Sequence, residues 1–74
     1  MMEIKRMRDL REDADKTQQC IADYLNMHRR VYSRYESGQR ETPAWVVMKL
    51  ADFYHVCTDY LLGRTDDPTP PRSK

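Results

Sequence analysis

Apolar residues recur along this chain at helical spacing, in short runs separated by turn residues, and nowhere alternate as a strand would require. Ile4, Met7 and Leu10 repeat every third position among charged neighbours, which predicts a first helix from about Glu3 to Asp13. Asp13-Ala14-Asp15 breaks the pattern, and Asp15 suits a left-handed turn. Thr17 reads as the N-cap of a second helix over 17–25, with Ile21, Ala22 and Leu25 on its apolar face. Asn26 ends it, because Asn is the commonest choice after Gly where φ must be positive. His28 opens a third helix reaching about Glu36. It turns Val31, Tyr32 and Tyr35 inward and leaves Arg29, Arg30, Ser33 and, in part, Arg34 outside; Gly38 stops it. Thr42-Pro43 predicts a new start, with Thr42 as N-cap and Pro43 at the first helical position. The fourth helix then carries Val47, Met48, Ala51 and Tyr54 inward. Val56 plugs the next turn, Thr58 caps a short fifth helix with Leu61 and Leu62, and Gly63 ends it. The expected fold class is all-α, five short helices, with no strand and no internal repeat.

Length and composition narrow this further. Seventy-four residues, 39% of them apolar and 34% charged, make one small domain with a modest core. The expected organisation is a folded unit over residues 1–63 and a disordered, proline-rich tail over 64–74, which lacks apolar side chains. No apolar run approaches the roughly 20 residues of a membrane span, so no membrane partner is expected. The first ten residues mix charge with Met and Ile, unlike a signal or transit peptide. Two glycines leave no Gly-rich phosphate loop. Cys20 and Cys57 form no CxxC pair, so free thiols in a reducing cytoplasm are expected. The set Cys20, His28, His55 and Cys57 lacks the spacing of a zinc finger or ribbon. No motif assembles a Ser-His-Asp or Cys-His set, so no enzyme, metal, cofactor or small-molecule ligand is expected.

The net charge of +1 hides segmentation. Residues 12–27 carry −3, with Glu12, Asp13, Asp15 and Asp23 against Lys16. Residues 28–40 carry +3, with Arg29, Arg30, Arg34 and Arg40 against Glu36. The basic stretch coincides with the third helix, and two short helices joined by so tight a turn as Asn26-Met27 must cross steeply. The second of them then projects its N-terminal half, with Arg29, Arg30 and Ser33, away from the core. An α-helix fits the B-DNA major groove, and Arg is the commonest reader of guanine. Tyr32 and Tyr35 are read as core rather than as stacking platforms, which duplex readers do not need.

At this point the sequence resembles the Cro/lambda-repressor-like helix-turn-helix family, also called XRE-like. The matching blocks are Thr17-Gln18-Gln19-Cys20-Ile21-Ala22-Asp23-Tyr24-Leu25, Val31-Tyr32-Ser33-Arg34-Tyr35-Glu36-Ser37-Gly38, Lys49-Leu50-Ala51-Asp52-Phe53-Tyr54 and Val56-Cys57-Thr58-Asp59-Tyr60-Leu61-Leu62-Gly63. The resemblance spans about residues 4–63. It implies base reading by Arg29, Arg30, Ser33 and Arg34, and phosphate contact or positioning by Thr17, Gln18, His28, Ser37, Gln39 and Arg40. It also implies that Arg11 and Glu36 form a structural ion pair from the first helix to the end of the third. Departures are Asn26 and His55 in place of turn glycines, Lys16 in place of a small apolar residue, and Cys57 in place of a frequent Ser. Lys16 is expected to loosen the first turn.

The function implied is a sequence-specific double-stranded DNA-binding transcriptional regulator. It is expected to be a bacterial or phage-derived repressor in the cytoplasm at the nucleoid, and a homodimer assembled around the fifth helix or on DNA. The alternative is a protein-interaction module, such as an antitoxin or a partner-binding regulator, on the same fold. For that alternative the candidate surface is Trp45 and Val46, with Tyr60 as a further contact, or else the proline-rich tail. Trp45 shares a line with Lys49 and Asp52, and either folds down as a core edge or stands out as an anchor. Tyr54 and Tyr60 are expected at the boundary, with hydroxyls left to water.

Overall fold

The computed structural model describes residues 4–69 and confirms an all-helical chain, with no strand among the described residues. The helices are α1 (Lys5–Asp13), α2 (Gln18–Tyr24), α3 (Arg29–Ser37), α4 (Ala44–Tyr54) and α5 (Thr58–Leu61). Ile4, Met7, Ile21, Ala22, Leu25, Tyr32, Tyr35, Val46, Val47, Leu50 and Leu61 form one continuous core drawn from every helix. Both tyrosines expected as core are buried. Burying a large apolar side chain contributes about 1.5–3 kcal/mol, so each short helix is held by its packed face rather than by its own propensity.

Helices α1, α2, α4 and α5 end in the same way. A residue with positive φ follows the last turn, and the next N–H reaches back five residues to a carbonyl that would otherwise be orphaned. The closures are Lys16 to Arg11 after Asp15, Met27 to Ala22 after Asn26, Val56 to Ala51 after His55, and Arg64 to Asp59 after Gly63. Asp15, Asn26 and His55 take φ of 59°, 58° and 60°, as expected of Asp15 at its turn and of Asn26 and His55 in place of turn glycines. The loosening expected at Lys16 is absent. Its N–H is bonded to Arg11, its carbonyl accepts from the Arg11 guanidinium at 2.9 Å, and only its side chain meets solvent.

Two helix starts differ from expectation by one residue. Pro43, not Thr42, is the N-cap of α4, and its carbonyl accepts from Val46 and Val47. Thr42 instead turns its hydroxyl toward the Met7 sulfur at 3.9 Å. At α5 the cap is Cys57, whose sulfur accepts from the Tyr60 N–H at 3.3 Å, and Thr58 lies inside the helix. The buried face of α4 is also rotated. Val46, Val47, Leu50 and Ala51 point inward, Met48 is 60% exposed and Tyr54 is half-buried. The segment Ala44-Trp45-Val46-Val47-Met48 is apolar all round, so periodicity alone does not select the face that packs.

The segment after Gly63, expected as a disordered tail, runs back along the molecule as far as it is described. Arg6 donates to the carbonyls of Tyr60 (2.9 Å) and Thr65 (2.7 Å), pairs with Asp66 and lies 4.1 Å over the Tyr60 ring. The Cys57 N–H is bonded to the Pro68 carbonyl. Residues 70–74 of the expected tail, like Glu3 of the expected first helix, lie outside the described residues.

Candidate nucleic-acid interface

Helix α2 is placed by its own capping. The Thr17 hydroxyl accepts from the Cys20 N–H at 3.1 Å, and Ile21, Ala22 and Leu25 anchor the helix in the core. The left-handed Asn26 then reverses the chain within two residues, and α3 begins at once. His28 caps α3 through its ring: Nδ1 accepts from the Arg30 N–H at 3.1 Å. A neutral ring bonded in this way carries its proton on Nε2, so it offers a donor on its free side.

Helix α3 is sharply two-sided. Tyr32, Tyr35 and Glu36 are buried, whereas Arg29, Arg30 and Arg34 are exposed and form no ion pair among the described residues. Ser33 is half-buried on the flank of this basic face and lines a polar cleft with Arg8, Gln18, Glu36 and Ser37. Gly38, at φ 82°, ends the helix, and exposed Gln39 and Arg40 follow in the loop. The Arg40 N–H is tied to the Arg34 carbonyl at 3.2 Å, and the Ser37 hydroxyl donates to the same carbonyl at 3.3 Å. The loop is therefore held against the end of the helix.

Behind the basic face lies a hydrogen-bonded brace. Arg11 grips Glu36 with two bonds, Nε to Oε2 at 2.8 Å and Nη2 to Oε1 at 3.0 Å. The Tyr32 hydroxyl donates to Oε2 at 2.6 Å, and the Gln18 amide donates to Oε1 at 3.0 Å. Burial by itself would raise the Glu36 pKa, but hydrogen bonds from Arg11, Tyr32 and Gln18 outweigh it and hold the carboxyl below its usual value of 4.5. The bond to Glu36 raises the Arg11 pKa against the opposing effect of burial. Burial, followed by the bond to Glu36, raises that of Tyr32 far above the ordinary tyrosine range. The brace joins α1, α2 and α3 at one carboxylate, so the orientation of the basic face is set by three elements.

The surface suggested for a protein partner is redrawn. Trp45 is 49% exposed and stands clear of the core, but Val46 is fully buried and cannot contact a partner. Met48 takes its place one turn from Trp45, beside a shallow apolar groove lined by Val47, Thr58 and Leu62. Tyr60 is half-buried with its ring covered by Arg6. The Tyr54 hydroxyl, expected in water, is buried and has no hydrogen-bond partner. Burial raises its pKa strongly. An aromatic set on α2 and α4 was not anticipated: Tyr24 packs on Phe53 at 4.7 Å and donates to the Lys49 carbonyl. Cys20 and Cys57 are free thiols. Among the described residues no group of three or more His, Cys, Asp or Glu could hold a metal ion, and no helix is long and apolar enough to cross a membrane.

Comparison with known proteins agrees with this geometry. A family of helix-turn-helix domains matches residues 5–67, which carries the match beyond Gly63 into the segment clamped by Arg6. Among curated proteins of Bacillus subtilis (strain 168), the chain is similar to the HTH-type transcriptional regulator ImmR, with 37% identity over 62 residues. That match covers 84% of this chain and 49% of ImmR. It is 35% identical over 69 residues to YobD, named an uncharacterized HTH-type transcriptional regulator, covering 93% of this chain and 62% of YobD. With the HTH-type transcriptional regulator AnsR it shares 35% identity over 63 residues, covering 85% of this chain and 54% of AnsR. The chain thus spans about half to three-fifths of the length of these relatives. On the family match, with α2 and α3 packed together and the basic face on α3, the chain belongs to the XRE-like helix-turn-helix family.

Proposed function

We propose that the protein binds double-stranded DNA in a sequence-specific way and regulates transcription, with α3 lying in the major groove. One observation carries this reading: Arg29, Arg30 and Arg34 stand unpaired on one face of a helix that is braced from behind by a fully bonded carboxylate. Arginines without an internal partner and on a fixed ridge are suited to guanine O6 and N7, and a braced helix presents them in one register. Arg29, Arg30 and Arg34 read bases, and Ser33 sits at the flank of the groove. Thr17, Gln18, His28, Ser37, Gln39 and Arg40 position the backbone, with the outward Nε2–H of His28 as a donor to a phosphate or a base edge. The three curated relatives are named as transcriptional regulators, which supports the same role here.

One small domain reads few bases, so useful affinity calls for two copies on half-sites about one helical turn apart. The protein then acts as a homodimer that represses by occupying its operator, in the bacterial cytoplasm at the nucleoid. It needs no catalytic activity. Selection from randomised duplexes at about physiological salt is the direct test. A G-containing palindrome is the expected result. Recovery of no motif, with only salt-sensitive binding, would sink the sequence-specific reading.

The exposed Trp45 and Met48 beside an apolar groove favour a second reading, in which the domain also docks a protein. Trp45 fluorescence should then be quenched by acrylamide in the free protein and shielded in the complex. A Trp45 already shielded in the free protein would remove this reading.

A further inference from the structure

We infer that Arg8, on α1, is a further DNA-backbone contact, seating a phosphodiester in the cleft between α1, α2 and α3. The inference rests on the DNA-binding reading above and adds to it a residue that neither the basic stretch nor the helix-turn-helix pair contains. Arg8 is exposed, makes no ion pair among the described residues, and lines the cleft together with Gln18, Ser33, Glu36 and Ser37. Glu12 lies one turn further along α1 and still does not engage it.

A carboxylate in an anion site would ordinarily repel the ligand, but here Glu36 is already neutralised. Arg11 takes both of its oxygens, and Tyr32 and Gln18 each donate a further bond. The remaining field in the cleft is that of the Arg8 guanidinium. The groups without an internal acceptor are also donors: the second N–H of the Gln18 amide, the Ser33 hydroxyl and the guanidinium itself. One strong cation and neutral donors around an opening is the chemistry of a singly charged phosphate oxygen pair. Because Ser33 and Ser37 belong to α3, a phosphate held here lies beside the helix that carries the reading arginines. That is where the backbone bordering an occupied groove runs.

The test is duplex binding by the full chain as a function of salt, using the motif recovered by selection. Arg8→Gln should weaken binding about tenfold near physiological salt and lower the slope of log affinity against log salt by about 0.9. The selected motif and the melting temperature should stay unchanged, and Arg8→Lys should restore the slope. An Arg8→Gln protein with wild-type affinity and slope, while Arg30→Ala loses binding, overturns the assignment and leaves the DNA reading intact. A wild-type chain that binds no duplex overturns both. Inorganic phosphate added at constant ionic strength separates a backbone site from a free-anion site. No competition is expected, and specific displacement of DNA by phosphate in wild type but not in Arg8→Gln overturns the assignment to DNA.

Discussion

Arg6 and Arg11 of α1 carry the same guanidinium as the arginines of α3, and the fold treats the two sets in opposite ways, with Arg8 alone on α1 left unpaired among the described residues. Arg11 spends its donors inside the molecule, on Glu36 and the Lys16 carbonyl. Arg6 does the same at the other end of α1, bonded to two carbonyls and to Asp66. Arg29, Arg30 and Arg34 touch no acid among the described residues and face solvent. Charge counted along the sequence therefore overstates what a ligand meets on α1 and understates how concentrated it is on α3. A basic residue is available for recognition only when no internal acceptor has claimed it.

The comparison is broken most severely at the paired end. Arg11→Ala leaves the Glu36 carboxylate buried without its main partner and should lower unfolding stability by about 3 kcal/mol in urea titration. A loss under about 1 kcal/mol would show that Tyr32 and Gln18 suffice. Acid should reveal the same pair. The folded pKa of Glu36 lies below its usual 4.5, so its stabilisation is complete above that value and is lost as pH falls through the lower folded value. Thermal melts from neutral pH down to pH 3 should show this loss in wild type and much less of it in Arg11→Ala.

At the free end the outcome should be reversed. Arg30→Ala should weaken operator binding by about 1–3 kcal/mol and relax preference at one base position, with an unchanged melting temperature. Equal weakening on every sequence would make Arg30 a phosphate contact. A finer split separates the two kinds of bond made by Arg6. Arg6→Ala removes bonds to two carbonyls and should lower stability by about 1–2 kcal/mol. Asp66→Ala removes only a solvent-screened partner, 99% exposed, and should stay within about 0.5 kcal/mol. Equal losses would make the ion pair the main attachment. The smallest effect is expected at the turn after α4, where His55→Gly should raise stability by a few tenths of a kcal/mol by relieving the left-handed backbone.

How far the sequence could be read follows from how local each signal is. Helix number and order were legible, because Thr17, Asn26, Gly38 and Gly63 mark ends within their own turn. The two-sidedness of α3 was legible for the same reason, since Tyr32, Tyr35 and the arginines sit at plain helical spacing. The buried face of α4 was not, because Trp45, Val46 and Met48 are all apolar and only contact with α5 and the core selects Val46. The one-residue shifts at Pro43 and Cys57 arise where two adjacent residues can each open a helix. Arg8 and the clamped segment after Gly63 had no local signature. Arg6 meets Thr65 across almost the whole chain, and the cleft at Arg8 exists only once three helices are assembled. The Gln18 brace was reachable through family resemblance and through nothing in the spacing of the residues.

The acidic stretch that precedes α3 has a bearing on how the protein meets its target. Glu12, Asp13, Asp15 and Asp23 are all exposed, as are Arg29, Arg30, Arg34 and Arg40. The net charge of +1 therefore sums exposed stretches of opposite sign and describes neither of them. A polyanion acts on the two stretches separately, attracting the exposed arginines and repelling the exposed acids. On the DNA-binding reading proposed above, exposed acids penalise any encounter that does not bring the arginines forward, so the charge pattern favours orientation over mere attraction.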